Sequence, residues 1–176
     1  MLATRALRAT AVAAVAGAVL AVSGCATADT AAVVDGHRIT EAEAQEAAAQ
    51  IREVQPDSGL ETSGAVQSLV MAQFINQVAE KSGKALADSA ARTAVPQLQD
   101  PAPSTLELVK ASLAFNQMTE GEKAQAVDLA RKADITVNPR YGVFKPSGSA
   151  LFESSAPNWI KADTSTPEPD PLAPQN

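Results

Sequence analysis

Cys25 is the only thiol in the chain, and it stands where a nearly unbroken apolar run gives way to polar sequence. A thiol is a nucleophile that can take up an acyl-bearing group. With no second cysteine, it cannot close an internal disulfide. His37 is the single histidine, the side-chain type whose ordinary pKa lies nearest neutrality. It follows the turn glycine Gly36 and reads as an exposed turn residue. Glu41, Glu43 and Glu46 are hard-cation ligands by type, but an acidic first helical turn is explained by the helix dipole. One histidine and one cysteine do not make a zinc set. No Gly-x-Ser-x-Gly elbow and no glycine-rich phosphate loop occurs. No catalytic residue, metal or cofactor is therefore expected, and the chain does not read as an enzyme.

The residues before Cys25 give the thiol its chemistry. Arg5 and Arg8 precede the uncharged stretch "ATAVAAVAGAVLAV", residues 9–22. This is the pattern of a signal peptide, shorter than the roughly 20 apolar residues that span a bilayer. Val22-Ser23-Gly24-Cys25 resembles a bacterial lipobox: a branched apolar residue, two small residues, then cysteine. The resemblance implies cleavage between Gly24 and Cys25, a diacylglyceryl group on the sulfur, and acylation (palmitate, for example) of the new amine. Two or more acyl chains anchor a protein stably where one is marginal. The expected location is extracytoplasmic, on the outer face of a bacterial cell membrane, with the lipid on Cys25 as the membrane contact.

Removing the first 24 of 176 residues leaves 152, enough for one modest domain plus tails. Two of the fourteen basic residues leave with that segment and none of the twenty acidic ones, so the formal charge goes from −6 to −8. Such a chain is a poor nucleic-acid binder. It also carries no excess of basic residues to draw it to an anionic membrane. Aromatic residues are few and alanine abundant, which predicts helices packed closely on helices.

Residues 25–30 form a tether. Ala31 to Val34 is a short β-prone run ending at the turn pair Asp35-Gly36. Thr40 with Glu43 has capping-box spacing and opens a helix with Ala44, Ala47, Ala48, Ile51 and Val54 on one face. A longer helix is predicted from about Thr62 to Ser82, with Gly83 as its left-handed stop. A third is predicted to start after Asp88 and end near Gln99, its second half weakened by Pro96. Ser104 with Glu107, and Thr119 with Glu122, have capping-box spacing for two more helices, to Met118 and Lys132. Residues 134–138 alternate as a strand does. A strand cannot leave its backbone groups unpaired in a dry core. The runs at 31–34 and 134–138 are therefore expected to pair. The fold class is mainly α: about five helices closed by a two-stranded ribbon that joins the ends of a domain at 31–144. Residues 145–176 read as a largely disordered tail rich in Pro and Ser, with Leu151-Phe152 and Trp159-Ile160 as apolar exceptions and Trp159 as a possible latch.

"AAVVDGHRITEAEAQEAAAQI" resembles the opening of the N-terminal, substrate-binding domain of SurA- and PrsA-type extracytoplasmic chaperones. "DITVNPRYG" is similar to that domain's returning strand, and the segment around it to actinobacterial lipoproteins with a SurA N-terminal domain. The likeness spans about residues 31–144. It implies a module that binds non-native exported proteins. A parvulin-type isomerase domain is not expected, because His37 is the sole histidine and a polar tail follows Tyr141. Met71, Phe74, Phe115 and Met118 suit either adaptable recognition of unfolded segments or an ordinary core. Trp159 is either a latch or a protein-binding peptide. Asn138, Arg140 and Tyr141 form a polar cluster in which Arg140 either pairs with an acidic residue to pin the end of the returning strand or contacts a ligand. The expected function is a lipid-anchored chaperone-like protein of the cell envelope. The alternative is a scaffold or accessory lipoprotein with one folded partner.

Overall fold

The computed structural model of the chain describes residues 29–153, so the expected signal segment, Gly24, Cys25 and Trp159 lie outside the described residues. Asp35 and Gly36 both have positive φ, +48° and +83°, as a type I′ hairpin turn requires. Strands β1 (Thr30–Val34) and β2 (His37–Thr40) leave this turn as an antiparallel pair. Strand β3 (Ile135–Val137) lies antiparallel on the other side of β1, with Ala32 opposite Val137 and Val34 opposite Ile135. The sheet order is β2-β1-β3, so the expected ribbon of two strands is corrected to a sheet of three. β2 escapes a pattern search because it buries only Ile39, which leaves no alternation to detect. Asp35 also locks the far strand. Its backbone N–H donates to the Asp134 carbonyl at 2.8 Å, and its Oδ1 accepts from the Asp134 N–H at 2.9 Å.

Thr40 ends β2 and caps α1 (Glu41–Val54) with the expected reciprocal box: its hydroxyl accepts from Glu43 N–H, and the Glu43 carboxylate accepts from Thr40 N–H at 2.7 Å. α2 (Thr62–Lys81) is the long helix. It stops at Gly83, φ +72°, where Lys84 N–H donates to Ala79 O and Gly83 N–H to Glu80 O. This double bond is a Schellman stop. α3 (Asp88–Ala94) ends before Pro96, short of the expected Gln99. α4 (Pro103–Gln117) departs from expectation at its start. Ser104 does not cap it; the cap position is Ala102 and Pro103 is the first helical residue, where a missing N–H costs nothing. Ser104 is buried instead and donates to the Glu43 carbonyl at 3.1 Å. Gln50 adds a clamp, accepting from Ala102 N–H at 2.9 Å and donating to Asp100 O at 3.2 Å. α5 (Glu120–Lys132) carries the second expected box, on Thr119 and Glu122.

α2 packs against α1, α4, α5 and the sheet. Its Val66, Leu69, Val70, Phe74 and Val78 are buried, and Ala44 and Ala47 of α1 and Ala126 and Ala130 of α5 let neighbouring backbones approach closely. A second apolar cluster joins Ala91, Val95, Leu98, Leu106 and Val109, where α3 meets α4. Beyond β3, Asn138 Oδ1 accepts from Arg140 N–H at 3.1 Å and caps a 3-10 turn at Pro139–Tyr141. The chain then forms a hairpin of β4 (Val143–Phe144) and β5 (Phe152–Glu153). This corrects the irregular tail expected from residue 145: its first nine residues turn back on the domain. Arg131 of α5 holds the hairpin loop by donating to Pro146 O and Gly148 O, at 2.8 and 3.2 Å.

Candidate functional site

Gly64, Gln67, Ser68, Met71 and Ile75 form one stripe along α2, at helical spacing. This stripe is the floor of an apolar groove of about 710 Å³, a size usual for ligand-binding clefts. α1 contributes Ile51 and Val54 to the groove's lining, and α4 contributes Leu108, Leu113 and Phe115. Val95 and Phe152 of β5 also line it, and so does Leu60, which lies against Gly64. A Cβ on Gly64 would stand 3.1 Å from Leu60 Cδ1, so the glycine lets that leucine lie close to α2. The groove lies along the seam between the two apolar clusters, and Ile51 packs against both.

No lining residue carries an ionisable side chain. The polar groups are Gln55, Gln67, Ser68 and Ser112, and Gln67 is already engaged, donating to Tyr141 O at 3.2 Å. The groove can therefore exclude water and hold apolar side chains, with a few neutral groups left for a backbone. Phe115 is 40 % exposed at its edge, with the Lys123 ammonium 4.9 Å from the ring centroid. That cation lies over the ring at cation–π distance.

Of the four candidate binding residues in the described structure, Met71 and Phe115 meet in the groove. Phe74 and Met118 do not: they are buried in the main cluster, at 5 % and 6 % exposure, and serve as core. Ile51, Val54, Leu108, Leu113 and Phe152 are lining residues that a motif search does not single out. A signal for them exists in α4, whose Leu106, Leu108, Val109, Leu113 and Phe115 point in more directions than one buried face accommodates.

The ionisable groups sit elsewhere, several of them in ion pairs that tie elements together. His37 is exposed on β2. Arg140 Nη1 stands 3.5 Å from Glu41 Oε2, linking the turn after β3 to the start of α1. Burial raises the Tyr141 pKa, and the neighbouring Glu41 carboxylate adds to the rise. Lys110 holds Asp88 below its ordinary value through a hydrogen bond. Glu122 is lowered to about 2, first by its hydrogen bond to Lys84 and then by those from Thr119. Among the described residues no three His, Cys, Asp or Glu converge as a metal site, and no helix is long and apolar enough to cross a membrane.

No protein-family model, curated protein or solved structure matches the chain. The site's chemistry accordingly rests on its geometry, an uncharged apolar groove in a helical domain.

Proposed function

We propose that the chain is a lipid-anchored, extracytoplasmic, chaperone-like protein of SurA N-terminal type. It holds non-native exported polypeptides by their apolar segments, without catalysis and without isomerase activity. The observation that carries this reading is the groove: apolar, free of charge, and edged by a half-exposed phenylalanine. Met71 on its floor adds a side chain that adapts to differently shaped guests. The lipobox-like Val22-Ser23-Gly24-Cys25 supports the anchor, and the strand-turn-helix opening supports the family resemblance. In this reading the three-stranded sheet clasps the two ends of the helical domain and keeps the groove walls in register.

The test uses the intact protein in lipid nanodiscs and reduced, carboxymethylated α-lactalbumin, which stays unfolded in neutral buffer. Wild-type protein should bind it and ignore the native, disulfide-bonded form, and Phe115→Asp should lose the binding. Equal affinity of wild type and Phe115→Asp for the unfolded form, or no binding by either, contradicts the reading. A single stoichiometric folded partner that is lost on Trp159→Ala would instead make the protein a scaffold.

A further inference from the structure

We infer that the chain's own Trp159-Ile160 occupies the groove in the resting protein, as a latch that a client must displace. The described structure ends beside the groove: Phe152 is one of its walls, and Glu153 follows directly. That exit is held firmly. The Glu153 carbonyl lies where a Cβ on Gly142 would come within 2.9 Å, and Phe144 and Phe152 pack with ring centroids 5.5 Å apart. Arg131 binds the loop between the two strands.

From Glu153 the six residues to Trp159 span at most about 20 Å when extended, and Pro157 disfavours helix in the residue before it. Residues 154–160 are "SSAPNWI", without a charge; charges resume at Lys161. The groove lining is likewise uncharged. Trp159 and Ile160 are the one adjacent pair of large apolar residues beyond Phe152. An indole buries some 150–250 Å² of surface when it finds a site. A short tether supplies it at an effective concentration of order millimolar, so a weak contact suffices to keep the groove filled. Occlusion of clients rests on the groove being their site; the docking itself does not.

Trp159 is the only tryptophan in the chain, so its emission reports on this segment alone. The measurement is the emission maximum and acrylamide quenching of the intact protein in nanodiscs, with no client present. The latch predicts blue-shifted, quencher-protected emission that moves to the red and becomes severalfold more quenchable in Phe115→Asp. It also predicts that a photo-crosslinking residue at position 159 attaches to α2 or α4, which tests the wild-type groove without a groove substitution. Emission at the wavelength of free tryptophan overturns it. So does blue-shifted emission indifferent to Phe115→Asp, including emission quenched by brominated acyl chains, which would put Trp159 in the membrane. Binding of reduced α-lactalbumin by a protein whose Trp159 is already exposed before the client is added overturns the latch alone. A docked Trp159 with no client binding overturns the client reading alone.

Discussion

Asn138 and Thr30 stand 108 positions apart and are joined directly: Asn138 Nδ2 donates to the Thr30 carbonyl at 3.1 Å. The same residue's N–H donates to Ala31 O at 2.9 Å, and its Oδ1 caps the turn that carries Arg140 and Tyr141. One residue thus finishes the β1–β3 pairing and starts the turn that leads to the β4–β5 hairpin, whose Phe152 lines the groove. Asn138→Ala should cost about 1–2 kcal/mol, the usual loss for a cap and a part-buried hydrogen bond. Urea unfolding measures it, and a midpoint equal to that of wild type would show the contact to be idle.

Gly142 and Gly83 both have positive φ, but they should respond differently to alanine. At Gly83 a Cβ meets nothing within 4 Å, so the cost is the conformational one, about 1 kcal/mol. At Gly142, φ +125°, a Cβ also meets the Glu153 carbonyl and Gln67 Nε2. Gly142→Ala should release β5, and Phe152 with it. Hydrogen exchange at Lys145 N–H, bonded to Leu151 O, should accelerate while exchange in α2 stays slow. Unchanged protection at Lys145 would contradict the packing described here.

Glu122 gives the fold an acid limit. Its folded pKa of about 2 lies below the ordinary 4.5. Its contribution is therefore complete above the unfolded value and is lost as pH falls toward the folded one. Stability should decline between about pH 5 and pH 2, and Lys84→Met should make that decline shallower. Identical pH profiles for the two proteins would show that Lys84 does not hold this carboxylate.

The two phenylalanines of α2 and α4 separate stability from binding. Phe74→Ala empties the main cluster and should cost about 3–5 kcal/mol. Phe115→Ala removes a ring that is 40 % exposed and should cost about 1–2 kcal/mol, well below the Phe74 loss. It should nevertheless weaken the hold on reduced α-lactalbumin. Denaturant titration and binding measured on the same samples give both quantities. A large stability loss in Phe115→Ala would make that ring core.

The helices were legible because their signals are local. Thr40 with Glu43 and Thr119 with Glu122 cap as their spacing predicts, and Gly83 stops α2. Ser104 misled because Pro103 had already taken the first helical position, which freed its hydroxyl to reach α1. β2 was invisible because a strand held by a type I′ turn and one buried isoleucine needs no alternation. The β4–β5 hairpin was hidden by the proline-rich sequence around it: Gly142's backbone and Arg131's reach are tertiary facts. The groove was half legible. Met71 and Phe115 have suitable types, but so do Phe74 and Met118, and only packing tells a wall from a core.

The most direct measurement places a photo-crosslinking residue at Phe115, and in a second protein at exposed Asp128 on α5, with each intact protein held in lipid nanodiscs. Reduced, carboxymethylated α-lactalbumin is then added and the adducts are mapped. A groove that holds unfolded chains predicts adducts at position 115 through apolar segments of the reporter, and none at 128. Equal labelling at both positions, or none at 115, would contradict it.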